Sequence, residues 1–210
     1  MGRPRALLLD AMGTLIGLRQ SVGRTYAAAA AAHGLIVSAE AIDAAFPRLY
    51  RQAPPLAFPD LSGPERLQAE RRWWGERIEA ALQAAGAGPA PEALQIELFE
   101  RFRDPALWRV YDDVPRSLER WRSHGLQLAV VSNFDSRLHD LLEALGLRGH
   151  LEAVVISSEV GAAKPSARPF VVALKQLGVS ASEAWHIGDS PEDGQGATAA
   201  GLSWLQVQRP

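Results

Sequence analysis

Residues 6–14 read Ala-Leu-Leu-Leu-Asp-Ala-Met-Gly-Thr, a short apolar run that ends at a carboxylate and is followed closely by a glycine. An uninterrupted apolar run of this length, bounded by turn residues, is typical of a strand buried in a parallel sheet. The segment therefore predicts a strand over Ala6–Leu9 and a tight turn that includes Gly13. Asp10 is then expected at the carboxyl end of that strand.

A helical block follows this strand. From about residue 19 to residue 103 the chain is rich in alanine, and its pattern is broken at Gly34, at residues 54–59 and at residues 86–91. The breaks predict four helices joined by loops, with no strand among them. Ser62-Gly63-Pro64-Glu65 has the sequence of a capping box, so one of these helices is predicted to begin there.

Beyond Pro105, apolar runs alternate with helical patterns. Predicted strands lie at Leu128–Val131, Ala153–Ile156, Ala184–Ile187 and Leu202–Val207, and predicted helices at residues 118–125, 138–145, 170–177 and 197–200. This alternation predicts an α/β fold, a doubly wound parallel sheet with helices on both faces. One strand precedes the helical block and four follow it. We therefore assign residues 1–16 and 106–210 to a Rossmann-like core domain and residues 17–105 to an inserted helical domain.

Composition limits the chemistry and the partners. The chain has 210 residues, a formal net charge of −2 and no cysteine. The weak net charge argues against a nucleic-acid partner. Without cysteine, any metal must be held by oxygen or imidazole ligands. No apolar run approaches the ~20 residues of a membrane helix, and we see no export signal, so we expect a cytoplasmic protein without a membrane partner, either a monomer or a homodimer.

Residues that can bind ligands follow the predicted strands, at the edge where ligands bind in sheets of this kind. They are Asp10, Met12, Gly13, Thr14, Ser132, Asn133, Ser157, Ser158, Glu159, Gly188, Asp189, Ser190, Glu192 and Asp193. The carboxylates of Asp10, Asp189 and Asp193 would repel one another without a cation. Because a cluster of oxygen ligands suits Mg²⁺, we predict a magnesium site at this edge.

Groups that can bind phosphate are predicted beside these carboxylates. Ser132 and the backbone N–H groups of residues 12–14 could bind phosphate oxygens, and Lys164 would add a fixed positive charge. Together with Mg²⁺ and the Asp10 carboxylate, they match what phosphoryl transfer requires, which is positioning, charge neutralisation and a nucleophile.

Four segments of the chain resemble, in order, the motifs of the haloacid dehalogenase-like hydrolase superfamily. They are residues 8–15, 130–133, 164–165 and 186–193. The resemblance spans nearly the whole chain and places the helical insertion where that family carries a cap domain. Any one of these motifs is weak by itself, but four in the right order are specific. Trp73-Trp74 and residues 131–138 also resemble one subgroup of the family.

The resemblance implies a role for each motif. Asp10 would be the nucleophile, Ser132 would bind phosphate and Lys164 would neutralise charge, with Gly13, Thr14 and Asn133 expected to contact the substrate. Mg²⁺ would be held by Asp10, by Asp189, by the backbone carbonyl of Met12 and, through the Gly-Asp-x-x-x-Asp spacing, by Asp193. The implied reaction is hydrolysis of a small phosphorylated metabolite through an aspartyl phosphate.

One position departs from the family pattern. Phosphatases of this family usually carry a second aspartate two residues after the nucleophile, where it protonates the leaving group, and this chain has Met12 there. Methionine cannot donate a proton, so the loss of general acid catalysis is expected to cost roughly 10²- to 10⁴-fold in rate. Two alternatives therefore stay open, a metal-independent 2-haloacid dehalogenase and a catalytically weak or inactive binding protein.

Overall fold

The computed structural model describes residues 3–209. The chain forms two compact units, of which the first comprises Met1–Gly17, Leu56–Ser62 and Arg109–Pro210 and the second comprises Leu18–Pro55 and Gly63–Trp108. We call them the sheet unit and the helical unit. Met1, Gly2 and Pro210 lie outside the described residues.

Strands and helices are numbered in chain order. The strands are β1 Ala6–Leu9, β2 Ile16–Leu18, β3 Trp108–Val110, β4 Gln127–Ser132, β5 Ala153–Ile156, β6 Ala184–Gly188 and β7 Ser203–Gln206. The helices are α1 Val22–Ala32, α2 Ala39–Gln52, α3 Gly63–Ala84, α4 Glu92–Arg101, α5 Val114–Ser123, α6 Arg137–Ala144, α7 Ser157–Val160, α8 Arg168–Leu177 and α9 Pro191–Ala199. Of the helices within residues 3–209, none is both long enough and apolar enough to cross a bilayer.

The main sheet has five strands in the order β5-β4-β1-β6-β7, and the pairs that join them are parallel. This confirms the predicted fold class. β1 lies in the centre, with Leu9 opposite Val130 of β4 and Ile187 of β6. Asp10, the next residue, is therefore flanked by the carboxyl ends of both neighbouring strands, because parallel strands end at the same edge.

The sheet is held by an apolar core to which its strands and the helices α8 and α9 contribute. Leu8 of β1, Val131 of β4 and Val155 of β5 pack with Phe170 of α8 and Ala197 of α9, and each is buried. Burial of apolar side chains is the main stabilising contribution in a core of this kind. The core thus fixes the strands whose ends carry the predicted site.

Residues 56–62 belong to the sheet unit, although the sequence places them inside the helical insertion. Ser157 Oγ donates a hydrogen bond to the carbonyl of Leu56 at 2.6 Å. Gly161 packs so closely on Pro59 that a Cβ at that glycine would overlap its backbone. These two contacts explain why this proline-rich stretch groups with the sheet.

The helical unit contains the four predicted helices, α1 to α4, and α3 begins within the predicted capping-box sequence. Its separate core includes Tyr26, Ile42, Ile78, Leu94 and Leu98. β2 and β3 flank this block and form a two-stranded sheet that the sequence pattern does not predict. Each has only three residues, too few to show a period of two.

Candidate active site

Asp10 lies directly after β1 and is almost completely buried. Its backbone N–H donates to the carbonyl of Ile187 at 2.9 Å, which fixes it against β6. One carboxylate oxygen, Oδ1, accepts hydrogen bonds from Lys164 Nζ at 2.6 Å and from Ser132 Oγ at 3.2 Å. The structure thus brings together the three residues for which the sequence predicts catalytic roles.

Lys164 is a buried cation held by three acceptors. Its Nζ donates to Asp10 Oδ1 at 2.6 Å, to Asp193 Oδ1 at 2.5 Å and to the carbonyl of Val131 at 3.1 Å. An ammonium group has three N–H donors, so all of them are used. Burial lowers the pKa of Lys164, but the charges of Asp10 and Asp193 outweigh it and hold the pKa above its ordinary value. Lys164 therefore keeps its positive charge.

Three carboxylates crowd this edge of the sheet. Asp10, Asp189 and Asp193 each offer an oxygen atom, and these atoms lie within 4.8 Å of one another. Burial raises the pKa of Asp189 to about 6, and the negative charges of Asp10 and Asp193 add to the rise. Burial also raises the pKa of Asp10, against the opposing charge of Lys164. A cation would relieve this crowding, and the all-oxygen donor set fits Mg²⁺.

Asp193 accepts hydrogen bonds at both carboxylate oxygens. Oδ1 accepts from Lys164 and lies 2.9 Å from His186 Nε2, while Oδ2 accepts from the backbone N–H and the hydroxyl of Ser190, at 3.1 and 2.7 Å. Burial raises the pKa of Asp193, but the His186 hydrogen bond and the Lys164 charge outweigh it, and the pKa lies well below its ordinary value. Asp193 thus anchors Lys164, and its role as a metal ligand stays a prediction.

His186 connects Asp193 to the central strand. Its Nδ1 lies 2.9 Å from the carbonyl oxygen of Leu8, its Nε2 faces Asp193, and its ring packs edge-on against Phe170 with 4.8 Å between ring centroids. Both ring nitrogens face acceptor oxygens, so both hydrogen bonds form when each nitrogen carries a hydrogen. His186 lies within the predicted strand Ala184–Ile187, and the sequence contains no signal for its contact with Asp193.

The residues predicted to bind substrate have defined contacts. Asn133 Nδ2 donates to the carbonyl of Lys164 at 3.0 Å, and the Lys164 N–H donates to Asn133 Oδ1 at 2.7 Å, so this amide holds the backbone of the lysine. Gly13 has φ 83°, and a Cβ there would overlap the carboxylate of Asp189. Thr14 is buried. Substrate contact by Gly13, Thr14 and Asn133 stays a prediction.

Comparison with known proteins identifies the family. A family model described as haloacid dehalogenase-like hydrolase matches residues 4–201. The chain belongs to the haloacid dehalogenase-like hydrolase family. The family predicted from the four ordered motifs is thereby confirmed.

Two sequence relatives and one solved structure illustrate what this chain is similar to. Haloacid dehalogenase-like hydrolase domain-containing protein 3 of Mus musculus, from the subgroup that Trp73-Trp74 and residues 131–138 resemble, is 40% identical over 201 residues, which are 94% of this chain and 79% of the relative. Phosphoserine phosphatase of Thermus thermophilus is 36% identical over 149 residues, 68% of this chain and 59% of that enzyme. The magnesium-bound crystal structure of YfnB from Bacillus subtilis has a TM-score of 0.73 and 20% identity, covering 98% of this chain and 87% of that chain, and it shows the shared fold.

This haloacid dehalogenase-like hydrolase also contains a buried ion pair in the loop after Ser132, which sequence analysis missed. Arg137 Nε and Nη2 donate to the carboxylate of Asp135 at 2.8 and 2.6 Å, and the Arg137 backbone N–H donates to it at 3.0 Å. The two side chains are 3% and 0% exposed. Charge-assisted bonds of this geometry fix the loop that follows Ser132 and carries Asn133. A charged pair two residues apart is usually solvated, so nothing in the sequence pattern predicts its burial.

Proposed function

We propose that this protein is a Mg²⁺-dependent phosphatase that hydrolyses a small phosphorylated metabolite through an aspartyl phosphate on Asp10. The observation that carries the proposal is the contact of the buried Asp10 carboxylate with both Lys164 and Ser132, beside the oxygen atoms of Asp189 and Asp193. A nucleophile, a fixed cation and an oxygen-rich metal site are what phosphoryl transfer requires. The related phosphoserine phosphatase supports this reaction class.

The proposed metal ligands are Asp10, Asp189 and the backbone carbonyl of Met12, with Asp193 close by. When bound, Mg²⁺ would neutralise negative charge on the phosphate oxygens. Ser132 Oγ and Lys164 Nζ would bind the same oxygens, since both groups already point at Asp10 Oδ1. The helical unit is proposed to act as the cap that selects the substrate.

The reaction proceeds in two displacements. A carboxylate oxygen of Asp10 attacks phosphorus, the ester P–O bond breaks, and the ester oxygen leaves with the electron pair. Water then attacks the phosphorus of the acyl phosphate, the bond between phosphorus and the Asp10 oxygen breaks, and inorganic phosphate is released. Lys164 keeps its charge throughout because Asp193 continues to hold it.

The leaving group receives little help from the protein. Met12 stands where a general acid would be needed, it is 41% exposed, and a thioether has no proton to donate. Leaving groups that are stable as anions need no such proton. We therefore propose that aryl and acyl phosphates are hydrolysed faster than alkyl phosphates.

Hydrolysis of p-nitrophenyl phosphate with and without Mg²⁺ tests the proposal. We expect metal-dependent activity that is lost in Asp10→Asn and kept in Asp112→Asn, which changes an exposed aspartate of the same unit. Activity that survives both Asp10→Asn and removal of the metal would refute the mechanism.

The two alternatives give different results in the same series. Chloride release from 2-chloropropionate without metal would identify a dehalogenase. Absence of turnover on a wide phosphate panel, combined with a rise in melting temperature on adding a phosphate compound, would identify a binding protein.

A further inference from the structure

The last residue of β7 and the residues after it return to the loops that carry the candidate site. We call residues 206–209 the return segment. The Val207 N–H donates to the carbonyl of Gly188 at 2.8 Å, and Gln206 Nε2 donates to the carbonyl of Asp189 at 3.2 Å. The return segment is therefore attached to the backbone of the loop that presents the Asp189 carboxylate.

Arg209 attaches the same segment to residues 10–15, between β1 and β2, which we call the Asp10 loop. Its Nε and Nη2 both donate to the carbonyl of Thr14, at 3.0 and 2.6 Å, and its Nη1 donates to Asp113 Oδ1 at 2.6 Å. The guanidinium also lies over the ring of Tyr111, 4.4 Å from the centroid. The planar fork of an arginine suits such a two-fold contact, because little of its freedom is lost for each bond formed.

The Arg209 side chain is 17% exposed, whereas its partner Asp113 is 60% exposed. The exposed carboxylate is screened by solvent and adds little. The bonds to the Thr14 carbonyl are shielded, so they hold the guanidinium in place. A fully exposed arginine could pair with Asp113 without reaching a buried carbonyl. The contact with the buried Thr14 is therefore the one that fixes the position of the Arg209 side chain.

The Asp10 loop is held from two sides. Gly13 packs against the Asp189 carboxylate without room for a Cβ. The carbonyl of the next residue, Thr14, is bound by Arg209, and Tyr111, on which Arg209 stacks, donates its backbone N–H to the carbonyl of Leu15 at 3.2 Å. A shift at Thr14 would therefore move Gly13 against Asp189.

We propose that Arg209 is a positioning residue, which acts through the Thr14 carbonyl to hold the Asp10 loop in register with the Asp189 loop. The proposal rests on the proposed phosphatase function, because the two loops carry the nucleophile and the metal ligands of that reaction. Arg209 touches neither the Asp10 nor the Asp189 side chain, so its effect is on the geometry of the site. Small displacements of reacting groups are costly to rate even when their chemistry is unchanged.

Three variants separate positioning from general stability. Arg209→Gln removes the charge and the two-fold contact, Arg209→Lys keeps the charge but lacks the planar fork, and Arg5→Gln is the matched control. Arg5 pairs with Glu183 at 2.8 Å before β1, at the opposite end of the strand from Asp10. Each variant is assayed with p-nitrophenyl phosphate at saturating Mg²⁺, and its amide hydrogen exchange is measured peptide by peptide.

For Arg209→Gln we expect kcat to fall on the order of tenfold, with KM within about twofold of the wild type. The kcat of Arg209→Lys should lie between those of Arg209→Gln and the wild type, and the kcat of Arg5→Gln should match that of the wild type. Exchange should become faster in residues 11–16, where the N–H of Gly13 donates to Ile16 and that of Leu15 to Ala11. Amides in the strands of the main sheet, β1 and β4 to β7, should keep their wild-type protection from exchange.

Unchanged kcat and unchanged exchange in residues 11–16 of Arg209→Gln would overturn the proposal. Faster exchange spread evenly over the sheet unit would also overturn it, because it would show a merely structural role. If the wild type hydrolyses no phosphate, the proposed function fails instead. The exchange of residues 11–16 still decides whether Arg209 holds the loop.

Discussion

Met12 is the residue at which this site differs most from the phosphatase pattern. Replacing it by aspartate would place a proton donor two residues after Asp10. Because Met12 is 41% exposed, the new carboxyl group would stay in contact with solvent. For Met12→Asp we expect faster hydrolysis of alkyl phosphates, by up to roughly 10²- to 10⁴-fold, and a much smaller change with p-nitrophenyl phosphate. The ratio of the two rates is the measurement.

Met12→Asn is the matched control for this variant, since it has nearly the same shape and no acidic proton. Its rate ratio should stay at the wild-type value. An equal gain with both substrates in Met12→Asp would show that the substitution acts by something other than proton donation.

Asp189 makes the metal-free protein sensitive to pH. Its pKa of about 6 in the folded protein exceeds the ordinary 3.8, so between these values the folded state binds a proton that the unfolded state has lost. Its contribution to stability is therefore present at low pH and is lost as the pH rises through about 6. For Asp189→Asn without metal, we expect a melting temperature that rises relative to the wild type between about pH 4 and about pH 7.

Magnesium should act in the same pH range. A cation bound by the ionised carboxylate stabilises the folded state, so Mg²⁺ should raise the wild-type melting temperature more at about pH 7 than at about pH 5. The rise should be smaller in Asp189→Asn, and Asp112→Asn should behave as the wild type. A constant difference between Asp189→Asn and the wild type over this range would contradict the assignment.

The turn after β1 is the element on which the site geometry depends. Gly13→Ala must accept a positive φ and an overlap with the Asp189 carboxylate. Gly125, with φ 76° and no atom within 4 Å of a Cβ, is the matched control because alanine there bears only the conformational cost, about 1–2 kcal/mol. We expect Gly13→Ala to lose more free energy of unfolding than Gly125→Ala and to lose phosphatase activity, which Gly125→Ala keeps.

The measurements for this pair are denaturant unfolding and kcat. Equal losses of stability would mean that the Asp10 and Asp189 loops can separate without cost. In that case the close packing of Gly13 on Asp189 would not be what holds the two loops in register.

β1, β4 and β5 were predictable because their apolar runs are uninterrupted and end at polar residues. The runs of β6 and β7 are interrupted by His186 and Ser203, but their alternation with helical patterns still predicted them. The first residues of the helices were harder to predict from the sequence. α5 begins at Val114, before its apolar periodicity shows, and α9 begins at Pro191, although Gly194 and Gly196 weaken its pattern. In both helices proline stands in the first turn, where the N–H that it lacks would have no partner within the helix. The cap sequence, and not the periodicity, marks these boundaries.

The convergence of Asp10, Ser132 and Lys164 was predictable because carboxyl ends of parallel strands meet at one edge and because four motifs occur in order. The contacts of His186 and Arg209 were not predictable. They depend on which residues of distant segments lie opposite one another, and this is set by packing of the whole sheet unit. The sequence identifies groups that can react, whereas the groups that hold them need the tertiary structure.

The sheet unit and the helical unit each have an apolar core, so the chain could unfold as one cooperative unit or as two. Leu98 of α4 and Leu142 of α6 are fully buried helix leucines, one in each unit. Either change to alanine should cost about 2–5 kcal/mol of stability in its own unit. If the units open separately, Leu98→Ala will speed amide exchange in α1 to α4 and leave the main sheet protected.

Leu142→Ala should give the reverse pattern, with faster exchange in the main sheet and protected helices α1 to α4. The contrast bears on the proposed function, because a helical unit that acted as an opening cap would need a core that is independent of the sheet. Uniformly faster exchange in both variants would instead indicate one cooperative unit. In that case the proposed selection of substrate by the helical unit would have to operate without opening.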